Sequence, residues 1–563
     1  VSTNRKFLRV VLILQKEVVT EDTIVFFLNY SKSKDHFMNR KEFLRHSLLG
    51  MGALYFTSFS SVLFAKNNEA KVETENLEID NVIIGSGYGG AVAALRLAQS
   101  GHEVTILEMG LNWEKSGEKF SPMISPGKSA AWLRTKTIAP FFNIFNTKKY
   151  TGTLDRWDFS NIKIWMGRGV GGGSLVNGGM AVLPKKDYFR EIFPELSTED
   201  FYEKYFPLAE KELEVNSADE NFLENCSFYK FNKVGEQEAH KAGFKTVRVP
   251  NVYDFKYMEA EYENKVPRSA LAGEVIYGNN YGKKSLDKTY LKKAQETGKV
   301  HIHDLHRVES ITKGLDNTYT LEVIQTNTVG ETVAKKNIVC KKLFLCAGTM
   351  GTLELLLKSS SDNKLTLNSE VGQNWGNNGN FMTGRNFVKT FSGGTGVNHS
   401  TIPVGGIDNW NDKEHPFFTE IAPLPMGMDV ATSLYLMISP VPEKGAVFFD
   451  PVSRKIDLKW SADNVALARK NAEYFIKAMN KANGGTRAHL LFNNGFGADI
   501  CYHPLGGAAL GKATDMKGRL RGSENLYIID GSLIPGTIGV NPFLTITALA
   551  EYCIEHIISE DYS

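Results

Sequence analysis

Three polar side chains stand where backbone restraint or apolar neighbours would give them a chemical use. His503, in CYHPLGGAAL, precedes Pro504. The proline fixes its own backbone angle and holds the residue before it extended, so the imidazole is aimed before any ligand arrives. With an ordinary pKa of about 6.5, a ring nitrogen can hydrogen-bond a hydroxyl and take up or position its proton. Asn541, in GVNPF, offers an amide that donates without titrating. Glu420 interrupts the apolar run FFTEIAPLPMGMD, where burial should raise a carboxyl pKa. Each also has a plainer reading: a core histidine bonded to a carbonyl, a turn asparagine before proline, a paired glutamate at a strand edge.

A frame that could present a reactant to these groups is legible elsewhere in the chain. Residues 78–110, EIDNVIIGSGYGGAVAALRLAQSGHEVTILEMG, run an apolar strand into Gly85, Gly87 and Gly90, then a small-residue helix from about Gly89 to Gln99, then a strand ending at Glu108. This is a GxGxxG fingerprint in its strand-turn-helix context. Gly85 permits the turn, Gly87 lets a pyrophosphate approach the helix N-terminus, and Gly90 lets the helix pack on the strand. Glu108 can accept both hydroxyls of an adenosine ribose and would repel a phosphate there, which disfavours NADP.

The fingerprint alone does not separate NAD from FAD. The segment MGRGVGGGSLVNGGMAV, residues 166–182, packs seven glycines among apolar residues. That suggests backbone lying flat against a large planar ligand. Residues 525–558 read as a strand, a sharp Asp530-Gly531 turn, a second glycine-rich turn and a closing helix from about Pro542. Residues 344–360, FLCAGTMGTLELLLKSS, read as another strand, turn and helix.

The order of these motifs resembles the glucose-methanol-choline family of FAD oxidoreductases, and within it the sterol-oxidising members that hold FAD without a covalent bond. The carriers are GSGYGGAV, GRGVGGGSLVNGGMAV, VPNVYDF, EVIYGNN, SLDKTYL, NSEVG, EIAPLP, CYHPLGG and DGSLIPGTIGVNPF, from about residue 78 onward. The resemblance implies an α/β chain: a discontinuous Rossmann-type FAD-binding domain (76–111, 286–370 and 497–563) and an α+β steroid-binding domain with a mixed or antiparallel sheet (112–285 and 371–496). It implies His503 as the hydroxyl-facing residue, Asn541 as a second polar contact at flavin and substrate, and Glu420 as the carboxylate that moves a proton. Cofactor contacts carry over to Gly85, Gly87, Tyr88, Gly89, Gly90, Glu108, Gly173, Asn177, Gly178, Met180, Val308, Asp530, Gly531, Asn541 and Phe543.

The activity so implied is oxidation of a 3-beta-hydroxysteroid to the ketone, with O2 as acceptor and H2O2 as product. Isomerisation of the 5-ene to the conjugated 4-en-3-one would follow. A different acceptor, another lipid alcohol, or a silent lipid-binding flavoprotein are the alternatives. Residues 111–142 read as a lid loop with exposed-type aromatics, through which a monomer would draw sterol from a lipid surface by peripheral contact.

Length and composition agree with this and narrow it. At 563 residues the chain is long enough for more than one lobe, and 65 Lys plus Arg against 63 Asp plus Glu give no electrostatic reason to expect nucleic acid. Five scattered cysteines with no CxxC pair predict buried free thiols, with neither a metal site nor a disulfide framework. Residues 38–75 have a basic start, an apolar stretch from Leu48 to Phe64, then polar residues, the outline of an export signal. Its NRKEFLRH segment is similar to a twin-arginine signal with Lys41 in place of the second arginine, so a secreted or periplasmic location is expected. Residues 1–37 fit neither part.

Overall fold

The computed structural model describes residues 74–116, 132–133, 149–272, 281–386, 397–398, 401–423, 429–430, 432–487 and 499–562. The expected export segment and most of the expected lid loop lie outside these residues. Of the lid's aromatics, Trp113 and Trp132 are described, and both are buried rather than exposed.

Continuous apolar runs make the central strands of a seven-stranded sheet. The strands Val300–His303, Val104–Leu107, Thr74–Ile84 and Thr332–Leu345 pair in parallel in that order, and Leu526–Ile528 joins the end of the last one. Val82, Ile83, Ile106, Leu343, Phe344 and Leu345 are wholly or almost wholly buried, as strands covered on both faces require. An antiparallel hairpin, His306–Lys313 and Tyr319–Thr326, extends the edge. The helices Tyr88–Gln99, Gly348–Ser361 and Phe543–Asp561 follow strands of this sheet, which is the expected Rossmann-type arrangement.

The second sheet is six-stranded, in the order Thr486–Arg487, Phe381–Asn386, Thr432–Ile438, Phe418–Ala422, Gly405–Asp408, Thr246–Arg248, and antiparallel throughout. Alternation along its strands sorts side chains to two faces. Ile407, Ile421, Tyr435 and Met437 pack with Phe231 and Ala239 of helix Lys230–Lys241 and with Ala468, Ala472, Phe475, Ile476 and Met479 of helix Ala466–Asn483. The last five recur at helical spacing, which is why that helix lies on the sheet. Ala422, Leu434 and Leu436 fall to the opposite face, where Met382 and Tyr502 join them. Glu420, directly opposite Leu436 in register, belongs to that second face.

A small three-stranded sheet has the largest bearing on function. Strand Asp499–Cys501 runs parallel to Ile162–Gly167, with Cys501 opposite Ile164. Both strands then run out in the same direction, one into the glycine-rich segment and the other into His503. The five cysteines are all buried and unpaired.

Candidate active site

At the nucleotide end the glycines divide by what surrounds them. Gly85 has φ +95°, and a Cβ there would lie 2.4 Å from the Cys346 carbonyl oxygen. A Cβ on Gly90 would lie 2.1 Å from the Gly85 oxygen, and one on Gly89 1.6 Å from the Ile529 oxygen, so these two are demanded by packing. Gly87 differs: an added Cβ would meet nothing within 4 Å. It also caps helix Tyr88–Gln99 without a side-chain hydrogen bond, leaving the first amide donors for a ligand. Glu108 is buried, with Oε1 accepting from the Gly110 amide at 2.8 Å and Oε2 from the Ser86 hydroxyl at 2.7 Å and its amide at 3.1 Å. These bonds fix the carboxylate plane and leave a lone pair on Oε1 for a ribose hydroxyl. Val308 lies on the adjoining hairpin, two residues after His306, whose amide donates to the Glu108 carbonyl at 2.9 Å.

The glycine-rich segment is fastened to this end. Gly171 N donates to Ser86 Oγ at 3.1 Å, and a Cβ on Gly172 would lie 2.9 Å from Gly87 Cα, so glycine faces glycine where the two loops cross. Gly173 faces open space, as Gly87 does. Asn177 donates from Nδ2 to the Tyr88 hydroxyl at 2.7 Å, and Tyr88 stacks on Phe543 with centroids 5.3 Å apart. Burial raises the Tyr88 pKa, keeping the phenol protonated. The Lys283 ammonium donates to the Asn177 carbonyl at 2.9 Å. Asn251, in the VPNVYDF motif, clamps the next residues, donating from Nδ2 to the carbonyls of Gly178 at 2.9 Å and Pro403 at 3.1 Å. Its backbone also bridges to buried Met180. A Cβ on Gly178 would lie 4.0 Å from Glu420 Oε1, so the segment reaches the second sheet.

His503 is held from two sides. Asn380 Nδ2 lies 2.9 Å from its Nδ1, the Asn380 Oδ1 accepts from the His503 amide at 3.1 Å, and Thr349 Oγ1 donates to the Pro504 carbonyl at 2.7 Å. The ring was expected to titrate near working pH; desolvation instead pushes its pKa down to about 4, so it is neutral at pH 7. The turn that carries Asn380 also carries Asn378, which donates to the Val540 carbonyl at 2.8 Å and accepts from the Ile538 amide at 2.9 Å. One buried turn therefore tethers both the His503 loop and the Asn541 loop.

Asn541 Nδ2 donates to Glu420 Oε2 at 3.3 Å, and both residues are buried. Burial pushes the Glu420 pKa up to about 7, and the Asn541 hydrogen bond only partly opposes it. Pro542 then caps helix Phe543–Asp561, again without a side-chain cap. Asp530 is turned inward: Thr352 Oγ1 donates to Oδ2 and the Ser532 amide to Oδ1 at 2.9 Å. Any cofactor contact at Asp530 and Gly531 therefore falls to the peptide groups of the turn.

Profiles of GMC oxidoreductase domains match residues 79–378, more than half of the chain, and residues 454–550, with a further C-terminal one over 378–493. The chain belongs to the GMC oxidoreductase family. Among curated relatives of this GMC oxidoreductase, a cholesterol oxidase of Acinetobacter baumannii is 23% identical over 86% of this chain and 95% of its own. A cholesterol oxidase of Mycobacterium tuberculosis is 23% identical over 84% and 90%, and the long-chain-alcohol oxidase FAO3 of Arabidopsis thaliana 23% over 88% and 70%. Pyridoxine 4-oxidase from Mesorbium loti shares the fold, with a TM-score of 0.59 at 13% identity, over 85% of this chain and 99% of that one.

Members of this family bind FAD, and the residues present fit it. Gly87 and Gly173 leave space along one path, and two buried polar atoms beside it, Asn177 Oδ1 and Asn541 Oδ1, have no hydrogen-bond partner among the described residues. A bound group with donors would satisfy both. Sequence reasoning missed Asn380, Asn378, Ser86, Asn251 and Lys283 as positioning residues. The run GNNGN at 376–380, five consecutive residues of two turn-forming types just before the strand Phe381–Asn386, was the available signal for the first two.

Proposed function

We propose that this GMC oxidoreductase oxidises 3-beta-hydroxysteroids to the 3-ketone with non-covalently held FAD, then isomerises the 5-ene to the 4-en-3-one. The observation that carries this reading is a buried carboxyl, Glu420, with its pKa pushed to about 7, on the sheet face that also carries the apolar cluster of Met382, Ala422, Leu434 and Leu436 with Tyr502. A buried acid beside an apolar cluster suits a substrate that is a large hydrocarbon with a single polar atom.

When bound, FAD supplies the acceptor for the carbinol hydride and the route for two electrons to O2. The chain's own residues do the rest. His503, neutral and fixed by Asn380, holds the substrate oxygen through a ring nitrogen. Asn541 keeps Glu420 aimed and offers its own amide to the same region. Glu420, close to half-ionised at neutral pH, receives the hydroxyl proton and sheds it to solvent. In the ketone, the C4 protons lie between carbonyl and alkene and are acidic. Ionised Glu420 takes one from C4 and returns it at C6.

Anaerobic mixing of purified enzyme with cholesterol tests the reading. Loss of the flavin absorbance, its return in air with H2O2, and the conjugated product would support it; no loss of absorbance with retained sterol binding would leave a silent lipid-binding protein. The match to a long-chain-alcohol oxidase favours a second reading, a non-steroid lipid alcohol as substrate, which a long-chain primary alcohol in the same assay decides. Acid precipitation that leaves the flavin in the supernatant supports non-covalent binding. Export through residues 38–75 and sterol uptake by a monomer at a lipid surface belong to the same proposal, checked by fractionation and vesicle sedimentation.

A further inference from the structure

We propose that His303 and His306 form a two-imidazole site for a borderline divalent cation such as Zn2+, and that filling it braces Glu108 at the nucleotide end. The two residues lie in HIHDLH, residues 301–306, a run that the oxidase chemistry leaves unused. Leu305, with φ +58°, turns the chain between them, so strand Val300–His303 ends on one histidine and strand His306–Lys313 begins on the other. His306 is 6% exposed, and its surroundings fix its tautomer. Nδ1 lies 2.7 Å from the Asp304 carbonyl oxygen, which can only accept, so Nδ1 carries the proton and Nε2 a lone pair. That Nε2 is buried with no hydrogen-bond partner among the described residues. A buried acceptor in this state calls for a donor or a cation. An imidazole that gives its other N–H to a backbone carbonyl is also oriented as metal-ligating histidines are.

The neighbouring ring stands where a second ligand would. The His303 and His306 ring centroids are 5.3 Å apart, with their planes at 59°. Two imidazoles on one tetrahedral Zn2+, each Zn–N bond about 2.0–2.1 Å long, set their centroids about 5.2 Å apart. His303 is exposed, which gives the ion a way in from solvent. Desolvation holds both imidazoles below their ordinary pKa, so neither has a proton to shed before binding at pH 7. The charged neighbours divide. Lys336 opposes a cation, but its ammonium is 3.4 Å from the Glu75 carboxylate; Asp304, whose carboxylate accepts from the Asn112 amide at 2.9 Å, favours one. His301, two residues back, shares the His303 face of the strand. Among the described residues no three His, Cys, Asp or Glu side chains converge as a metal cluster, so water fills the remaining positions and the ion exchanges. Two backbone bonds carry the effect to the cofactor end: the Glu108 amide donates to the His303 carbonyl and the His306 amide to the Glu108 carbonyl, each at 2.9 Å. An ion joining the rings therefore closes a clip around the backbone of the residue whose carboxylate meets the ribose. By linkage, metal and FAD then tighten each other's binding by the same factor.

The brace rests on FAD binding at Glu108; the ion site rests neither on FAD nor on a steroid substrate. Calorimetric titration of the EDTA-treated, desalted, FAD-loaded enzyme with Zn2+ at pH 7 should show a saturable site. Binding should weaken about tenfold or more in His303→Gln and in His306→Gln. It should be unchanged in His240→Gln, a ring engaged elsewhere with Thr246 Oγ1 at 2.6 Å. Zn2+ should also slow loss of FAD from the diluted holoenzyme about fivefold or more, an effect absent in His303→Gln. If the buried His306 variant fails to fold, exposed His303→Gln and the shift of the His306 Nε2 15N signal on adding Zn2+ to the unmodified enzyme still decide. No saturable site, or one that the His303 and His306 variants leave unaltered, overturns the proposal. So does competition between Zn2+ and FAD, which would mean that FAD itself meets the His306 lone pair. Zinc held by both histidines with FAD loss unslowed overturns the brace. Failure of every sterol to reduce the flavin would count against the oxidase reading alone.

Discussion

Replacing Glu420 by Gln separates the electrostatics of the site from its packing. Burial takes the carboxyl pKa from 4.5 to about 7, which at about 1.4 kcal/mol per tenfold change in acidity destabilises its ionised form by roughly 3 kcal/mol. The sign follows from linkage. Below about pH 4.5 the carboxyl is protonated in both folded and unfolded chains, and nothing is lost. As pH rises to about 7 the unfolded chain releases the proton first, so the folded state loses stability, fully so above that pH. Gln does not titrate, and its amide oxygen can still accept from Asn541 Nδ2, now 3.3 Å from Oε2. The stability of Glu420→Gln relative to the parent should therefore rise with pH, from near zero at about pH 4.5 to roughly 3 kcal/mol by about pH 8. Urea unfolding of the two proteins across that range, with FAD bound in both, measures the difference while cancelling every other titration. In the same variant, sterol oxidation should slow without vanishing, because proton loss can pass to water, while the unconjugated ketone accumulates. A stability difference that is flat in pH, or a conjugated product formed at the parent rate, refutes the assignment.

Asn541→Leu removes a hydrogen bond that lowers the Glu420 pKa, so the pH at which isomerisation reaches half its maximum should move upward, read by product ratio against pH. His503→Gln should retain flavin and slow its reduction by about a hundredfold or more, measured by stopped-flow absorbance; a loss below tenfold would remove the ring from the substrate oxygen. Gly87→Ala should leave apoprotein melting unchanged but weaken FAD binding, because the added methyl occupies only the open space the pyrophosphate needs. Gly90→Ala, with its Cβ 2.1 Å from the Gly85 oxygen, should lower the melting temperature as well, and equal melting of the two variants would reject this division.

What could be read from the order of residues alone was what depends on neighbours in the chain. The strand and helix around Gly85, Gly87 and Gly90 follow from apolar periodicity and glycine placement, and the observed helix Tyr88–Gln99 begins one residue from its expected start. The closing helix begins at Phe543, after Pro542, for the same local reason. Chemical type likewise marked His503, Asn541 and Glu420, since an imidazole before proline and an acid in an apolar run are visible without a fold.

Tertiary structure alone decided how those groups behave. The pKa of His503 moved to about 4 and that of Glu420 to about 7 because desolvation is set by what packs around a side chain from distant segments. The Asn380 contact joins residues separated by 123 positions, which only the turn at 377–380 brings together. A hydrogen-bond partner brought from a distant turn is a property of the assembled neighbourhood, so a linear pattern could name the histidine but could not name the side chain that holds it.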